Sequence, residues 1–344
     1  MKTWRAAVFG CGMISEFHLK GWRRCPDVQV VALGDASLDC AKRRRAEFCP
    51  EALCFDNLET MLAAAAPDFV DILTPPQFHR EHCLQAAQAG VHIICQKPLC
   101  YDLREAWSLV NELESYPRQF VVHENHRYRP WFQAVLRHHR QGLFGTPQFL
   151  GLEQNDPFEP AEFFKLHSPL GIYLEYGTHL VDMIRALLGE PRRVYARFHY
   201  PNRKVAGESL AHAVYEFDST TAAVNIAWKA NGVSQGSFLL EGDAGEAHYE
   251  GRMTRGDAAR FRLVQGKTVL LDEQRNSTED YEDSFYFFER HFVDGLAAGR
   301  YGVPSVAENF NTLLATLAAY EAVKRQAPID IRTFAEASGC CKTA

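Results

Sequence analysis

Short apolar runs alternate with helical patterns along the first third of the chain. Runs with the length and apolarity of buried parallel strands occupy residues 6–9, 28–33, 69–73, 91–95 and 120–122. Patterns with helical spacing occupy residues 14–24, 38–48, 58–65, 80–89 and 103–114. Strict alternation of strands and helices is typical of right-handed βαβ crossovers. The sequence therefore predicts an α/β N-terminal domain over residues 1–123, with a doubly wound parallel sheet of the Rossmann type.

Beyond residue 147 the strand candidates follow one another with one long helical pattern among them. The strands are predicted at residues 148–153, 193–200, 211–217, 221–230, 236–241 and 262–271, and the helix at residues 174–188. Two further helices are predicted at 284–298 and 306–324. Neighbouring strands without helices between them favour an antiparallel sheet. Residues 124–344 are therefore predicted to form a C-terminal α+β domain with a mostly antiparallel open sheet.

The composition is that of an ordinary globular protein, with 47% hydrophobic and 23% charged residues. The formal net charge of −6 leaves no global field to attract nucleic acid. The chain has no apolar stretch near the roughly 18–20 residues of a membrane span, and residues 1–15 do not resemble a signal peptide. We expect a cytoplasmic protein without membrane or nucleic-acid partners, whose ten cysteines are free thiols. Because no C-x-x-C pair occurs, we expect no metal.

A glycine-rich turn follows the first predicted strand, where residues 10–15 read Gly-Cys-Gly-Met-Ile-Ser. Gly10 permits a tight turn, Gly12 lets a pyrophosphate approach the backbone, and the following helix supplies N–H groups and a positive dipole end. Asp35 ends the second predicted strand, at the offset of a carboxylate that binds ribose hydroxyls and repels a 2′-phosphate. These features predict a dinucleotide site that favours NAD over NADP, with NADP not excluded.

The run Arg43-Arg44-Arg45 bears on the choice of cofactor, because arginines can clamp a 2′-phosphate. Three consecutive helix positions point in three directions, so a single clamp would use at most part of the run. We favour the interpretation of a solvated basic face, and the phosphate clamp remains the alternative.

Four further segments carry chemically active side chains: Thr-Pro-Pro-Gln-Phe-His at 74–79, Gln-Lys-Pro at 96–98, Asn-His-Arg-Tyr-Arg-Pro at 125–130, and Glu-Tyr-Gly-Thr-His-Leu-Val-Asp at 175–182. Together with the glycine turn they resemble the motifs of the glucose–fructose oxidoreductase, inositol dehydrogenase and rhizopine-catabolism (Gfo/Idh/MocA) family. The family patterns are T-P-P-x-x-H, E-K-P, N-x-R-F-x-P and D-x-G-x-H-x-x-D. Five motifs in the family's order make the resemblance specific, although each motif is weak alone.

The resemblance implies an NAD(P)-dependent enzyme that transfers a hydride between the nicotinamide and a secondary hydroxyl or ketone of a sugar or cyclitol. It also implies a homodimer or homotetramer built on the C-terminal sheet. By position, Lys97 is the catalytic lysine and His179 is the motif histidine, and both are expected to act as acid–base groups. Glu175 stands where the family has aspartate and is expected to orient His179, which completes the catalytic set. The chemistry agrees, because an alcohol must lose its hydroxyl proton as hydride leaves. Glu175 and His179 are four residues apart, so we expect them on one helix face.

The candidate cofactor-binding residues are Gly10, Gly12, Met13, Ile14, Asp35, Thr74, Pro75, Pro76, His79, Gln96, Lys97 and Asn125. The candidate substrate-binding residues are Lys97, Arg127, Asn155, Glu175 and His179. Tyr128, Asp156, Phe158 and His167 lie near them in sequence and add donors, acceptors and aromatic faces of the kind that recognise polyols. Nothing in the sequence chooses among glucose-type sugars, inositols, amino sugars and nucleotide-linked sugars.

Two departures from the family pattern keep other functions open. Gln96 replaces the glutamate of E-K-P, and we hypothesise that Lys97 then deprotonates more easily. Glu175 replaces aspartate and is longer by one methylene group. The alternatives to a dehydrogenase are a redox-neutral NAD-dependent glycosidase and a non-catalytic regulator that senses NAD and sugar.

Overall fold

The computed structural model describes residues 2–157, 170–229 and 234–341. The chain forms two compact units, one of Met1–Tyr128 with Glu282–Phe310 and one of Arg129–Tyr281 with Asn311–Ala344. The expected boundary at residue 123 lies five residues before the first of these divisions, and the expectation did not include the return of a late segment to the first unit. That segment belongs there because Phe288, Phe292 and Val293 are buried in the hydrophobic core of the first unit.

The first unit contains a six-stranded parallel sheet with the order β3-β2-β1-β4-β5-β6. Its strands are β1 (Trp4–Phe9), β2 (Val28–Gly34), β3 (Leu53–Phe55), β4 (Phe69–Ile72), β5 (His92–Gln96) and β6 (Phe120–His123). The helices between them are α1 (Ser15–Trp22), α2 (Leu38–Phe48), α3 (Leu58–Ala65), α4 (His79–Gln88) and α5 (Leu103–Glu112). The predicted Rossmann arrangement is confirmed. Strand β3 was not predicted, since three residues are too few to show a period.

The second unit contains a nine-stranded sheet with the order β14-β13-β12-β11-β7-β10-β9-β8-β15. Its strands are β7 (Pro147–Pro157), β8 (Arg193–His199), β9 (Leu210–Glu216), β10 (Thr221–Lys229), β11 (Gln235–Gly242), β12 (Gly245–Glu250), β13 (Ala258–Gln265), β14 (Thr268–Asn276) and β15 (Ile329–Asp330). Neighbours are antiparallel except β7 and β10, which are parallel. The predicted mostly antiparallel sheet is confirmed.

The prediction of a single strand at 262–271 was wrong. The chain reverses at Gly266, whose φ of +56° suits a glycine, and the residues on either side pair as the antiparallel hairpin of β13 and β14. The apolar residues continue across this turn, so the pattern hid the break. Strand β12 was also missed, because its residues alternate polar and small apolar side chains over a short stretch.

The remaining helices are α6 (Pro130–Arg140), α7 (Thr178–Leu188), α8 (Ser277–Ala298), α9 (Val306–Arg325) and α10 (Ile331–Ala337). The predicted helix at 174–188 is instead a π-helical turn, Tyr173–Gly177, followed by α7. Helix α6 was not predicted. Within the described ranges no helix is both long and apolar enough to cross a membrane. In the same ranges all ten cysteines are free thiols.

Candidate functional site

The turn after β1 is built around Gly10 and Gly12. Gly10 has φ +106°, and a methyl group there would lie 2.6 Å from the backbone carbonyl carbon of Leu73, so only glycine fits. A methyl group at Gly12 would meet no heavy atom of the described chain within 4 Å. Met13 is half exposed, and Ile14 stands at the first turn of α1. This surface offers the open backbone approach and the helix N-terminus that a pyrophosphate needs.

Asp35 follows β2 and is held rigidly beside the glycine turn. Its Oδ2 accepts the backbone N–H of Cys11 at 2.7 Å, and its Oδ1 accepts the backbone N–H of Ser37 at 2.8 Å. A carboxylate oxygen has lone pairs beyond one such bond, so the group can also accept hydroxyl donors. The residues therefore fit the adenosine ribose and pyrophosphate of NAD.

Arg44 fits neither interpretation of the arginine run, the solvated basic face or the 2′-phosphate clamp. Its Nε donates to Ser15 Oγ at 3.1 Å and its Nη2 donates to the carbonyl oxygen of Gly12 at 3.1 Å. Its Nη1 forms a 2.7 Å ion pair with Glu47. The side chain is buried and braces the glycine turn from α2, whereas Arg43 beside it is exposed.

The segment after β4 supports the same edge of the sheet. Thr74 Oγ1 lies 2.9 Å from His82 Nδ1, Pro75 is exposed, and Pro76 begins a short 3₁₀ turn. His79 is fully buried, with Nε2 2.7 Å from the carbonyl oxygen of Thr74 and Nδ1 3.0 Å from that of Pro98. Burial lowers the pKa of His79 to about 4. The two ring nitrogens therefore lie beside carbonyl oxygens of the segment after β4 and of the segment after β5.

Gln96 and Lys97 stand at the carboxyl end of β5. Lys97 is half-buried, and its backbone N–H donates to Gln96 Oε1 at 2.8 Å. Gln96 is nearly buried, and its Nε2 lies 3.0 Å from His18 Nε2. Since β1, β4 and β5 are neighbours in a parallel sheet, Gly10, Thr74 and Lys97 follow the same edge of it. Ligands of doubly wound folds bind at that edge.

Asn125 and Arg127 lie in the 3₁₀ turn Asn125–Tyr128 after β6. Asn125 is buried, with Nδ2 donating to Ser284 Oγ at 2.9 Å and Oδ1 3.4 Å from His126 Nδ1. These bonds hold the turn in place, and Arg127 is half-buried. A role for either residue toward a ligand stays a prediction.

Glu175 and His179 belong to the second unit, and both are buried. Glu175 lies within the π-helical turn and His179 in the first turn of α7, with its ring centroid 5.8 Å from that of Tyr176. A π-helical turn has more residues per turn than an α-helix. The angle around the helix axis between these two side chains therefore differs from that of an i,i+4 pair in an α-helix. Single π-helical turns are frequent at functional sites.

The start of this turn is held by two residues that sequence reasoning missed. Glu208 accepts the backbone N–H groups of Gly171 and Tyr173, each at 2.9 Å. Tyr320 donates to Glu208 at 2.7 Å. Burial raises the pKa of Glu208, against the lowering effect of these donors. The contacts join distant parts of the chain, and no local pattern marks either residue.

The other substrate candidates of the second unit have partners of their own. Asn155 is buried and donates to Glu153. Asp156 accepts from Gln154 and forms a 3.3 Å ion pair with Arg252. The remaining two candidates, Phe158 and His167, lie outside the described residues.

One group of side chains in the described ranges has ligand atoms close enough for a metal ion: His18, His123 and Glu289, all buried and within 4.8 Å of one another. His18 Nδ1 lies 2.8 Å from Asp71 Oδ2 and Nε2 lies 3.0 Å from Gln96 Nε2. Both ring nitrogens of His18 are thus engaged by the protein. The group is a buried polar cluster in which Asp71 and Gln96 occupy the ring nitrogens of His18.

The parallel sheet and the turn around Gly10, Gly12 and Asp35 define a dinucleotide-binding domain of the Rossmann type. The family model described as "Oxidoreductase family, NAD-binding Rossmann fold" matches residues 4–124, and that of the GFO/IDH/MocA C-terminal domain matches residues 132–248. The chain belongs to the Gfo/Idh/MocA family of oxidoreductases. The resemblance seen in the sequence is confirmed.

Individual proteins extend the comparison. The D-apiose dehydrogenase of Paraburkholderia graminis is 29% identical over 355 aligned positions, covering 100% of this chain and 94% of that protein. The inositol 2-dehydrogenase of Rhizobium meliloti is 30% identical over 188 positions, covering 55% of this chain and 56% of that protein. An oxidoreductase from Agrobacterium radiobacter, solved with NAD+, L-tartaric acid and magnesium, has a TM-score of 0.87 at 22% identity and covers 96% of this chain and 99% of its own. At that identity the likeness shows the fold alone.

Proposed function

We propose that this protein is an NAD(H)-dependent dehydrogenase that oxidises a secondary hydroxyl of a monosaccharide-sized sugar or cyclitol, or reduces the corresponding ketone. The observation that carries the proposal is the position of Lys97. It follows β5 at the sheet edge where Gly10 follows β1 and Asp35 follows β2. An amine at this edge is placed to serve chemistry on a substrate next to the nicotinamide.

Lys97 acts as the acid–base group in this proposal. When bound, NAD+ supplies the hydride acceptor, so the carbinol carbon loses hydride and its oxygen loses a proton. The neutral amine of Lys97 takes that proton as the C=O bond forms, and the ammonium returns it in the reverse direction. The hydrogen bond from the Lys97 backbone to Gln96 holds the start of the side chain in place.

His179 is proposed as a further acid–base group, with Glu175 orienting the imidazole ring. The support is their place at the junction of the π-helical turn and α7, with both side chains buried. A carboxylate that accepts from one ring nitrogen leaves the other to face the substrate. Arg127 and Asn155 are proposed as further substrate-binding residues. Each offers donors suited to vicinal hydroxyls.

NAD is proposed as the physiological cofactor rather than NADP. The support is the fixed carboxylate of Asp35, whose two oxygens are held by the backbone of Cys11 and Ser37. A 2′-phosphate would meet this negative charge, and Arg44, which could have offset it, is engaged with Gly12, Ser15 and Glu47.

The substrate class is supported by the relatives. D-Apiose dehydrogenase aligns with the whole chain, and inositol 2-dehydrogenase aligns with about half of it. Both names describe dehydrogenases of small polyhydroxylated compounds. We therefore propose a free sugar or cyclitol as substrate, and we propose that the protein works as a homodimer or homotetramer, as the family resemblance implies.

An absorbance assay for NADH tests the proposal. The protein is mixed with NAD+ or NADP+ and a panel that includes D-apiose, myo-inositol, glucose and amino sugars. A substrate-dependent rise with NAD+ is expected, and Lys97→Ala should lower kcat by roughly 10² to 10⁴. Lys42→Ala is the matched control, since Lys42 is an exposed lysine on α2. Equal activity in Lys97→Ala and the wild type would reject the assignment.

The two alternatives are separated by the same samples. If NAD+ binds in calorimetry but no substrate yields NADH, aryl glycosides are added and release of the aryl alcohol is measured. Release without net NADH indicates the redox-neutral glycosidase. Sugar-dependent NAD+ binding without either reaction indicates a regulator.

A further inference from the structure

A buried row of polar side chains runs from β4 to the backbone of Lys97. Asp71 on β4 and His18 on α1 are both fully buried, and His18 Nδ1 lies 2.8 Å from Asp71 Oδ2. His18 Nε2 lies 3.0 Å from Gln96 Nε2. Gln96 Oε1 in turn accepts the backbone N–H of Lys97 at 2.8 Å. The row therefore ends at the residue proposed as the acid–base group.

The donors and acceptors in this row follow from the backbone N–H group at its Lys97 end. A backbone N–H can only donate, so Oε1 of Gln96 is the acceptor facing Lys97 and its Nε2 is a donor. That donor needs a lone pair on His18 Nε2, which places the ring proton on Nδ1, facing the carboxylate of Asp71. Trp22 Nε1 also donates to Asp71 Oδ2, at 3.0 Å. The ring of His18 is therefore neutral, with its proton on Nδ1.

We propose that Gln96 is a positioning residue for Lys97, held in place by the neutral ring of His18 and through it by Asp71. The inference rests on the proposed role of Lys97. It also explains the departure from the E-K-P pattern. A glutamate at position 96 would keep the bond to the Lys97 backbone, but its second oxygen would face the lone pair of His18 Nε2. That contact becomes favourable only with a proton on Nε2, which makes the ring an imidazolium.

The other groups that face His18 come from β6 and α8. The ring of His123 has its centroid 4.1 Å from that of His18, and Glu289 Oε1 lies 4.0 Å from His18 Nδ1. Burial and the neighbouring Asp71 raise the pKa of Glu289 well above its usual range. At 4.0 Å Glu289 is beyond hydrogen-bond distance of Nδ1, so the group that holds the His18 proton is Asp71, at 2.8 Å.

Two substitutions break the row in different ways. Gln96→Glu should lower kcat by about tenfold or more with little change in KM, because a displaced acid–base group loses rate rather than binding. It should also add an ionisation to the pH profile of kcat, because the His18 ring must then bind a second proton. His18→Asn retains a donor toward Asp71 but removes the acceptor of Gln96 Nε2, and should lower kcat without the added ionisation. His92→Asn is the matched control, at the opposite end of β5, where His92 Nδ1 accepts the Gln119 N–H. It should leave kcat and its pH profile unchanged.

Nitrogen-15 NMR of the full chain with labelled histidine and saturating NAD+ reads the ring directly. We expect His18 to carry its proton on Nδ1 alone in the wild type, and on both nitrogens in Gln96→Glu. A wild-type ring with its proton on Nε2 would overturn the inference. So would a stoichiometric metal ion bound at His18, which would take the same lone pair.

The kinetic outcomes distinguish this inference from the proposed function. If Lys97→Ala is inactive while Gln96→Glu and His18→Asn both retain the wild-type kcat and pH profile, the positioning role is wrong and the role of Lys97 stands. If Lys97→Ala remains fully active, the proposed role of Lys97 is wrong, and the positioning role falls with it.

Discussion

Tyr320 and Glu208 are joined by a 2.7 Å hydrogen bond at the start of the π-helical turn that carries Glu175. The same Tyr320 hydroxyl accepts the backbone N–H of Leu174 at 3.0 Å. The first N–H groups of a helical segment have no acceptor within it. The pair supplies acceptors for them, and so determines where the turn begins. We infer that the positions of Glu175 and His179 depend on this contact.

Tyr320→Phe is expected to reduce both stability and turnover. The change removes one donor and one acceptor from a largely buried site, and should lower the free energy of unfolding by about 1–3 kcal/mol. Because the turn carrying Glu175 is then less well fixed, kcat should fall more than KM rises. Urea unfolding and steady-state kinetics measure the two effects. Tyr301→Phe, at a tyrosine that is 69% exposed, is the control and should change neither.

Alanine substitutions at the two glycines of the turn after β1 should affect different properties, protein stability at Gly10 and NAD+ affinity at Gly12. Gly10→Ala places a methyl group 2.6 Å from the Leu73 backbone at a φ of +106°, so we expect loss of stability of about 2 kcal/mol or more. Gly12→Ala meets no atom of the described chain within 4 Å, so its melting temperature should stay close to that of the wild type. Its affinity for NAD+ should fall, because the methyl group occupies the path of the pyrophosphate.

Calorimetry and thermal unfolding of both glycine variants decide the point. A Gly12→Ala protein that binds NAD+ as tightly as the wild type would show that the pyrophosphate does not approach here. A Gly10→Ala protein of unchanged stability would contradict the backbone geometry of the turn.

Asp35→Asn is expected to weaken NAD+ binding by about 10- to 100-fold, the equivalent of about 1.5–3 kcal/mol for hydrogen bonds to a charged group. The preference for NAD+ over NADP+ should shrink at the same time, since the charge that opposes a 2′-phosphate is gone. Asp39→Asn, a few residues further on and highly exposed, is the matched control. The measurement is KM for each cofactor. An unchanged NAD+ to NADP+ ratio in Asp35→Asn would assign the preference to other residues.

Two helices of the first unit are predicted to the residue. Helices α2 and α3 begin and end at the predicted residues, 38–48 and 58–65. The wrong prediction at 262–271 came from an apolar run that continues through the turn at Gly266. The π-helical turn at Tyr173–Gly177 also escaped, because its hydrophobic spacing continues into α7 and the acceptors that fix its start come from elsewhere in the chain.

The candidate site likewise contains residues that a local pattern predicts and residues that it does not. Gly10, Asp35 and Lys97 are recognisable locally, because each directly follows an apolar strand. The link between His18 and Gln96 joins residues 78 positions apart, and that between Glu208 and Tyr320 joins residues 112 positions apart. Such contacts depend on which strands become neighbours, and no local pattern contains that information.

Glu289→Gln should remove a pH dependence of stability. Glu289 is fully buried, and burial together with Asp71 raises its pKa well above the usual range of a glutamate. In the unfolded chain this group ionises above about pH 4.3, while in the folded protein it stays protonated to a higher pH. The folded state then binds more protons than the unfolded state, so the free energy of unfolding falls as pH rises through this window, by up to about 1.4 kcal/mol per pH unit.

The glutamine variant cannot ionise, so its stability should decline less between about pH 5 and about pH 7 than that of the wild type. Urea unfolding at both pH values gives the two slopes. Glu279→Gln is the control, since Glu279 lies on the same helix and is exposed, and it should keep the wild-type slope. Equal slopes in Glu289→Gln and the wild type would mean that Glu289 is ionised in the folded protein, and then Asp71 would share the buried cluster around His18 with a second negative charge.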